Sequence, residues 1–359
     1  MPTRRALLRL GFVGCGRVTE SLHLPALRRL TDWQVIAGAD SDPGRLDAIA
    51  NRFGIPRRYP DYRALLDDAD VDVVAVCVPP SLHAAVALAA LAAGKHVFIE
   101  KPLAMSLAEC DQLVDHAAHS SSKVMVGFNL RWHRLIRRAR EMVRHGALGQ
   151  LELIRTTFTS GERLRIGSPG WKTRERVGVL ADLGVHHFDL WRYLTGAEVK
   201  EISATMRTPN GNGESAMVTA CMQNGLIASS VFSDQTSESN ELEIHGRKGS
   251  IRVSCYRFDG LELIPALDPP GSLRNLPSRM LATIKEIPGA AARASRGGDF
   301  GSTYEAQWRH FADSIRNDAP VGCTVEDGRR AVQVSLAAMT SVLESRPVRM
   351  AEARCESLP

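Results

Sequence analysis

Two short segments in the first third of the chain constrain its fold most strongly. They read VDVVAVCV over 71–78 and KHVFI over 95–99, and neither alternates apolar with polar residues. Strands covered by helices on both faces show such nearly continuous apolar runs, whereas a strand with one face in water alternates. Helix-like stretches separate these and further strand-like runs from Leu8 to about Val126. The pattern predicts an α/β domain built on a doubly wound parallel sheet.

The rhythm of the sequence changes after Gly149. Strand-like segments now follow one another at nearly regular spacing, and QNG and GRKG lie between them as hairpin turns. The segments read QLELIRTTFTS, EVKEISATMRT, SAMVTACMQ, GLIASSVFSD, NELEIHG and GSIRVSCY. A helical pattern near Val179 to Leu194 interrupts them. This part of the chain therefore predicts an α+β domain with a large, mainly antiparallel open sheet.

Chain length also favours two domains, because single cores stop growing at roughly 250–300 residues and this chain has 359. We predict a first domain over 1–128 and a second over 129–359. Two helices are expected near the C-terminus, at about 302–317 and 326–344. Residues 265–301 hold five prolines and several glycine- and serine-rich clusters, which predict an irregular insertion.

Charge and cysteine content exclude several classes of protein. The chain has 45 Lys and Arg against 40 Asp and Glu, and the basic residues are scattered, so nucleic-acid binding is not indicated. Its seven cysteines include no C-x-x-C pair and no zinc-like spacing, which favours a reducing cytoplasm and predicts no metal site. The longest uninterrupted apolar run, Ala84 to Ala93, is shorter than the ~18–20 residues of a membrane span.

A glycine-rich loop follows the first strand, in GFVGCGRV. Gly14 and Gly16 begin the G-x-G-x-x-G pattern of dinucleotide-binding (Rossmann) domains, but Thr19 occupies the position of the third glycine. The first two glycines allow the tight turn and the approach of a pyrophosphate, and the helix that starts at Arg17 and Val18 offers N–H groups. We therefore expect Thr19 to loosen helix–strand packing more than it weakens phosphate binding.

Asp40 ends the second predicted strand, WQVIAGAD. A carboxylate at this position accepts hydrogen bonds from the adenosine ribose and repels a 2′-phosphate, so NAD is favoured over NADP. Arg45 lies nearby in the sequence, so NADP stays open as the alternative cofactor. The alternative is that Asp40 is an ordinary turn or helix-cap residue ahead of Pro43.

Two opposite charges stand where the fifth strand ends, in Glu100-Lys101-Pro102. Ligands of open α/β sheets bind beyond the carboxyl ends of the strands, which would bring Lys101 to the nicotinamide crevice. The alternative is a solvated ion pair between Lys101 and Glu100.

A second group of polar residues lies in GVLADLGVHHFD. On a helix Asp182, His186 and Asp189 share one face, since they are spaced by four and three residues. A carboxylate one turn from an imidazole suits proton transfer. The alternative is a helix-start acid with structural histidines, and for His187, which lies off this face, that interpretation is favoured.

Five segments together resemble the Gfo/Idh/MocA family of sugar and cyclitol oxidoreductases. They are GFVGCGRVTESLHLPAL, VCVPPSLHAAVALAALAAGKHVFIEKPLA, VGFN, GVLADLGVHHFDL and CTVEDGRRAV, which follow one another over nearly the whole chain. The resemblance implies that Lys101 and His186 flank the reacting alcohol and that Asp182 helps hold the substrate and the histidine. It also implies a cis peptide bond before Pro102. Thr19 and the segment 265–301 depart from the family pattern.

Twelve residues in all are expected to contact the NAD or NADP cofactor. They are Gly14, Gly16, Arg17, Val18, Asp40, Arg45, Pro79, His83, Glu100, Lys101, Pro102 and Asn129. For the substrate, Trp171 and Lys172 of the basic segment Gly161 to Arg176 are candidates beside Asp182 and His186, because arginines and lysines there suit an anionic group. The alternative is a solvated basic loop.

Three functions are compatible with these residues. The first is a dehydrogenase that moves a hydride between a secondary alcohol of a sugar-like ring and nicotinamide. The second is a glycosidase that oxidises its substrate transiently and retains NAD, and the third is a non-catalytic regulator that binds NADH. We also expect a homodimer or homotetramer, because an exposed sheet face with many apolar side chains is costly to leave in water.

Overall fold

The protein is described from a computed structural model. The structure describes residues 6–161, 178–207, 214–267, 276–294, 297–352 and 357–358. Contacts divide the chain into two compact units, Met1–Phe128 with Tyr304–Val332, and Asn129–Thr303 with Gln333–Pro359. Tyr304–Val332, which the predicted boundaries assign to the second domain, thus groups with the first unit.

The first unit contains the predicted parallel sheet. Its six strands lie in the order β3-β2-β1-β4-β5-β6, and every pair is parallel. This is the strand order of dinucleotide-binding folds. Strands β2 and β3 are added on one side of β1, and β4 to β6 on its other side. The strands are β1 (Leu8–Val13), β2 (Trp33–Ala39), β3 (Arg57–Tyr59), β4 (Val73–Val76), β5 (His96–Ile99) and β6 (Val124–Val126).

Helices cover both faces of this sheet, as the continuous apolar runs predict. All four residues of β4 are buried, and the apolar residues of β5 are buried as well. The helices are α1 (Leu24–Leu27), α2 (Pro43–Phe53), α3 (Tyr62–Leu66), α4 (His83–Ala92) and α5 (Leu107–Ala118), and a π-helical turn, Thr19–His23, precedes α1.

The second unit contains an eight-stranded sheet in the order β13-β12-β11-β7-β10-β9-β8-β14. It is antiparallel except between β7 and β10, which run parallel, so the predicted mainly antiparallel sheet is confirmed. Its strands are β7 (Leu151–Thr159), β8 (Val199–Arg207), β9 (Ser215–Met222), β10 (Ile227–Ser233), β11 (Ser239–Gly246), β12 (Gly249–Ser254), β13 (Leu261–Pro265) and β14 (Val348–Arg349).

One face of this sheet forms the core of the second unit. Alternate residues of β9 and β10 are buried there with Phe188 and Trp191, both from a buried helix. The helices of this part are α6 (Arg134–Arg144), α7 (Val185–Thr195), α8 (Leu276–Ala294), α9 (Gly298–Arg316) and α10 (Val325–Glu344). Helices α9 and α10 each contribute residues to both units. The opposite face leaves large apolar side chains exposed, among them Ile227 and Met217.

The irregular insertion predicted over 265–301 is wrong for most of its length. Helix α8 occupies Leu276–Ala294, and α9 begins at Gly298. Pro277 stands in the first turn of α8, where a missing N–H costs nothing, and the Ala-rich end of the segment favours a helix. Pro288 lies inside the helix. Proline content alone therefore does not exclude a helix in this segment.

Candidate active site

Gly14 makes the turn that joins β1 to the following helix. Its φ is +97°, and a Cβ on it would lie 2.4 Å from the carbonyl oxygen of Cys77, which follows β4. Only glycine is compatible with this conformation and this contact. A Cβ on Gly16 would instead meet no atom within 4 Å, so the backbone there is open to a ligand. Both glycines therefore fit the pyrophosphate of a dinucleotide.

Thr19, which departs from the fingerprint, is held inside the structure. Its side chain is fully buried, and its hydroxyl donates a 2.7 Å hydrogen bond to the carbonyl oxygen of Gly14. The π-helical turn that begins at Thr19 widens the first turn of the helix at this point. The hydroxyl thus ties the glycine loop to the helix, and the expected loosening of helix–strand packing by Thr19 stays a prediction.

Asp40 connects the end of β2 to the glycine loop. Its Oδ2 accepts a 2.8 Å hydrogen bond from the Cys15 N–H, and its Oδ1 accepts one of 2.9 Å from the Asp42 N–H. Arg45 lies 3.5 Å from both oxygens. The helix cap of α2 is Asp42, which accepts from the Arg45 N–H, so Asp40 is not the cap. A carboxylate has about four acceptor sites, which leaves capacity for a ribose hydroxyl.

The Glu100-Lys101-Pro102 segment leaves the carboxyl end of β5. The peptide bond between Lys101 and Pro102 is cis, as the family resemblance implies. Glu100 is 7% exposed, and its Oε1 lies 2.9 Å from His23 Nε2. The carboxylate is therefore buried, which disagrees with a solvated pair. Lys101 is half-buried, and its backbone N–H donates to Glu100 Oε2 at 3.3 Å.

His83 joins two loops of the first unit. Its Nδ1 lies 2.7 Å from the carbonyl oxygen of Pro102, and its Nε2 lies 2.9 Å from that of Val78. Burial lowers the pKa of His83, although both carbonyl groups favour the charged form. Pro79 directly precedes the short turn that leads into α4. Three predicted cofactor residues, Pro79, Lys101 and Pro102, thus lie in loops that follow β4 and β5, and His83, the first residue of α4, connects these loops.

Asp182 and His186 belong to the second unit. A π-helical turn, Leu180–Gly184, carries Asp182, and α7 continues directly from it with His186 in its first turn. The Ser335 hydroxyl donates to the carbonyl oxygen of Leu180 at 3.0 Å and holds the start of this turn. His186 is 7% exposed and contacts the Phe158 ring edge-on, with 6.0 Å between centroids. Asp182 is half-buried.

The neighbouring His187 lies in the core. It is fully buried, stacks on Phe158 with 5.2 Å between centroids, and meets Phe232 edge-on. Burial lowers the pKa of His187 to about 3, while the Asn240 side chain beside it acts in the opposite direction. The ring is therefore neutral near pH 7, which agrees with the structural interpretation.

The remaining predicted residues differ in how far the structure describes them. Arg17 is exposed and Val18 half-buried, both before the π-helical turn of the first unit. Asn129 is buried in the second unit, where its Nδ2 donates to Thr303 Oγ1 at 3.2 Å. Trp171 and Lys172, with the rest of 162–177, lie outside the described residues.

These features define a class of protein, the oxidoreductases that bind a nicotinamide dinucleotide in a Rossmann domain. The comparison with known families agrees. Residues 8–128 match the oxidoreductase family Gfo/Idh/MocA, NAD-binding Rossmann fold, and residues 136–252 match the C-terminal domain of the same family. The chain belongs to the Gfo/Idh/MocA family.

Individual relatives span almost the whole chain. Myo-inositol 2-dehydrogenase of Thermotoga maritima is 26% identical over 96% of this chain and 99% of its own length. D-apiose dehydrogenase of Paraburkholderia graminis is also 26% identical, over 96% of this chain and 90% of its own. The crystal structure of scyllo-inositol dehydrogenase from Lactobacillus casei with NAD(H) and scyllo-inositol superposes with a TM-score of 0.76 at 23% identity, and covers 96% of this chain and 100% of that chain.

The sequence did not predict two residues next to the Glu100-Lys101-Pro102 segment. One contacts Glu100, and the other contacts the first. His23 hydrogen-bonds to Glu100, and Trp308 hydrogen-bonds to His23. His23 lies in SLHLPAL, a segment that the resemblance includes, but an isolated histidine on an apolar helix carries no chemical signal of its own. Trp308 lies 285 positions further along the chain, so no local pattern links the two.

Proposed function

We propose that this oxidoreductase oxidises a secondary alcohol of a sugar or cyclitol and that Lys101, Asp182 and His186 act on that alcohol. The observation that carries the proposal is the presence, in one chain of this family, of Lys101 directly after β5 and of Asp182 and His186 four residues apart at the start of a buried helix. The names of the relatives, which refer to inositols and D-apiose, support a polyhydroxylated substrate.

Each residue has a separate task in this reaction. NAD, when bound, supplies the group that accepts the hydride. His186 takes the proton of the hydroxyl group, and the Asp182 carboxylate orients the imidazole and stabilises its charged form. The Lys101 ammonium stabilises the negative charge that develops on the oxygen. Gly14, Gly16 and Asp40 hold the dinucleotide.

A ligand screen followed by kinetics tests this function. Thermal shift with NAD, NADP and their reduced forms, and then with sugars, cyclitols, uronates and nucleotide sugars, identifies the cofactor and the best substrate. With that substrate, His186→Ala should lower kcat by about 10²–10⁴-fold, while the affinity for NAD stays near that of the wild type. Lys101→Ala should be similarly impaired, and Lys101→Arg should restore little, because a planar fork cannot replace a point charge.

Matched controls separate these effects from damage to the fold. His145 and Lys248 are exposed residues of the second unit, so His145→Ala and Lys248→Ala should turn over like the wild type. Wild-type turnover in a folded His186→Ala or Lys101→Ala variant would refute the assignment. Net formation of NADH in proportion to product supports the dehydrogenase, whereas a glycosidase would make product with no net NADH. The relatives described above are named dehydrogenases, which does not favour the glycosidase.

We also propose that the outer face of the second sheet pairs copies of this chain. Leu153, Met217, Ile227 and Val231 are 38%, 57%, 59% and 39% exposed on it. The register sets Ile227 beside Leu153 and Val231 beside Met217, so these side chains form two apolar groups. A second copy of the same face would cover both groups.

A cytoplasmic location remains a prediction. The six cysteines among the described residues are free thiols, which supports a reducing compartment. Within the described ranges, no helix combines the length and the apolar character that crossing a bilayer requires.

A further inference from the structure

His83 connects two loops that follow neighbouring strands of the first sheet. It is the first residue of α4 and is 1% exposed. Its Nδ1 lies 2.7 Å from the carbonyl oxygen of Pro102, which follows β5, and its Nε2 lies 2.9 Å from that of Val78, which follows β4. Strands β4 and β5 pair side by side. One buried imidazole therefore contacts both the loop that contains Pro79 and the loop that contains Lys101.

Only one of these two contacts is a hydrogen bond when the ring is neutral. A carbonyl oxygen only accepts, and a neutral imidazole has a single N–H group. Burial lowers the pKa of His83, and the positive end of the α4 dipole acts in the same direction. Of the charged groups that face the ring, Glu100 favours its charged form and Lys101 opposes it. The ring is therefore neutral near pH 7 and has one proton for two carbonyl groups.

The surroundings of the two carbonyl groups decide which of them receives this proton. The contact with Pro102 is the shorter of the two and is buried, whereas the contact with Val78 is only partly buried. A buried carbonyl group without a donor is costly, while a partly buried one can bind water instead. The proton is therefore expected on Nδ1, where it satisfies the carbonyl group that water reaches least.

The backbone that this hydrogen bond holds includes Lys101. On the N-terminal side, the Lys101 N–H donates to Glu100 Oε2 at 3.3 Å. On the C-terminal side, the carbonyl group of the following residue, Pro102, accepts from His83. The His83 ring is thus attached to the chain directly beside Lys101, and a protein carbonyl group lies against each of its two nitrogens.

We propose that His83 is a positioning residue, whose neutral ring donates from Nδ1 to Pro102 and thereby fixes the backbone that presents Lys101. In this role the ring nitrogens act on the protein backbone instead of on the cofactor. The catalytic meaning of the contact rests on the proposed function of Lys101, but the contact itself is measurable without a substrate.

The tautomer of His83 can be read directly by NMR. The two ring nitrogens are recorded in the full-length protein with isotope-labelled histidine at about pH 8, where an imidazole is neutral, and the His83→Asn variant identifies their signals. We expect a proton on Nδ1 and none on Nε2. A proton on Nε2 alone would mean that the ring holds Val78, and protons on both nitrogens would mean that it holds both loops. Either result would overturn the proposal.

Two substitutions at this position keep one donor each. The side-chain amide nitrogen of asparagine lies close to the place of Nδ1, and that of glutamine close to the place of Nε2. His83→Asn should therefore still donate to Pro102, whereas His83→Gln should donate only to Val78. We expect the Lys101 amide hydrogen to exchange about fivefold faster in His83→Gln than in His83→Asn, which is the usual effect of one hydrogen bond. Equal rates, or faster exchange in His83→Asn, would overturn the proposal.

The matched control is His116→Asn. His116 is an exposed histidine of α5 in the same unit, and its Nδ1 also lies 2.9 Å from a carbonyl oxygen, that of Gln112. The Lys101 amide of this variant should exchange like that of the wild type. Faster exchange would show that the loss of any histidine ring loosens the unit, and would refute the specific role. If His83→Gln does not fold, the tautomer measured in the wild type decides.

Kinetics separate this role from a contact with the cofactor. With the best substrate, kcat of His83→Gln should be about tenfold lower than that of His83→Asn, while both variants bind NAD equally well. A weaker affinity for NAD that accounts for the difference would overturn the proposal in favour of a cofactor contact. The expected tautomer and exchange rates without any alcohol oxidation would keep the positioning role and refute the proposed reaction, whereas oxidation with the proton on Nε2 would do the reverse.

Discussion

Arg131 and Asp189 form a buried two-point ion pair, with Nε 2.7 Å from Oδ2 and Nη2 2.5 Å from Oδ1. Asp189 is fully buried, and the Arg131 guanidinium also lies over the Tyr193 ring at 5.0 Å. Asp189 shares a helical segment with Asp182 and His186, but its carboxylate is committed to this pair. It therefore fixes the start of the second unit to α7 instead of taking part in proton transfer.

Asp189→Asn should destabilise the second unit by about 3–5 kcal/mol, because it leaves a buried guanidinium without its counter-ion. Urea unfolding followed by fluorescence measures the change. The matched variant Asp182→Asn, on the half-buried part of the same segment, should lower turnover and leave the unfolding midpoint close to that of the wild type. A loss of less than about 1 kcal/mol in Asp189→Asn would contradict a structural role for the pair.

Gly14→Ala and Gly16→Ala should separate folding from cofactor binding. The added methyl group at Gly14 collides with the Cys77 carbonyl oxygen and requires a left-handed backbone, so this variant should lose thermal stability. The methyl group at Gly16 meets no protein atom within 4 Å, so the second variant should melt like the wild type but bind NAD more weakly. Wild-type NAD affinity in Gly16→Ala would show that the dinucleotide does not approach this backbone.

Asp40→Ser should narrow the preference for NAD over NADP, because the carboxylate that repels a 2′-phosphate is lost. Dissociation constants of both cofactors, measured by fluorescence titration, give the ratio. Asp42→Ser is the matched control: it removes a carboxylate from the same turn, and serine can still cap α2. An equal change of the ratio in both variants, or tighter binding of NADP by the wild type, would refute the ribose contact.

Acid should destabilise the second unit through His187. Burial depresses the pKa of His187 to about 3 in the folded protein, against about 6.5 in the unfolded chain. The stabilisation is therefore present above pH 6.5 and is lost as the pH falls from about 6.5 toward 3, by about 2 kcal/mol at pH 5. His187→Phe should remove this part of the pH dependence and fit between Phe158 and Phe232.

Unfolding midpoints at about pH 7.5 and about pH 5 check the effect. His145→Gln, a change at an exposed histidine of the same unit, should keep the wild-type pH dependence. The same slope in wild type and His187→Phe would show that another group causes the acid sensitivity.

Ile227→Glu and Met217→Glu should prevent the proposed pairing of chains, because each places a charge in an apolar group on the outer face of the second sheet. Light scattering at micromolar concentration measures the mass. Leu343→Glu, at a side chain that is 72% exposed on α10, is the control and should keep the wild-type mass. A wild-type mass near 39.2 kDa would mean that the protein is a monomer.

The sequence predicted the parts of the fold that depend on local pattern. Continuous apolar runs such as β4 predicted the parallel sheet, because a strand that is buried on both faces has apolar residues at successive positions. The helix with His186 was expected near Val179 to Leu194 and is found as a π-helical turn followed by α7. Gly14 was predicted to make the tight turn after β1, and its φ of +97° agrees. The catalytic role expected of Lys101 stays a prediction.

Other features depend on contacts that no local pattern contains. The Thr19 hydroxyl finds the Gly14 carbonyl oxygen only once the loop has closed. The Trp308 indole hydrogen-bonds to His23 from 285 positions further along the chain. Helix α8 forms in a proline-containing segment because Pro277 falls in its first turn, and proline content alone does not reveal that position.

The first unit is made of two separate stretches of chain, and its aromatic core joins them. Trp308 stacks on Phe98 with 4.5 Å between centroids and meets Trp33 edge-on at 5.1 Å. A fragment that ends at Phe128 would expose Phe98 and Trp33 to water and would lose the indole that hydrogen-bonds to His23. The cofactor-binding unit therefore cannot be transferred as one continuous fragment. A chimera that exchanges it with a relative must include Tyr304–Val332 together with Met1–Phe128.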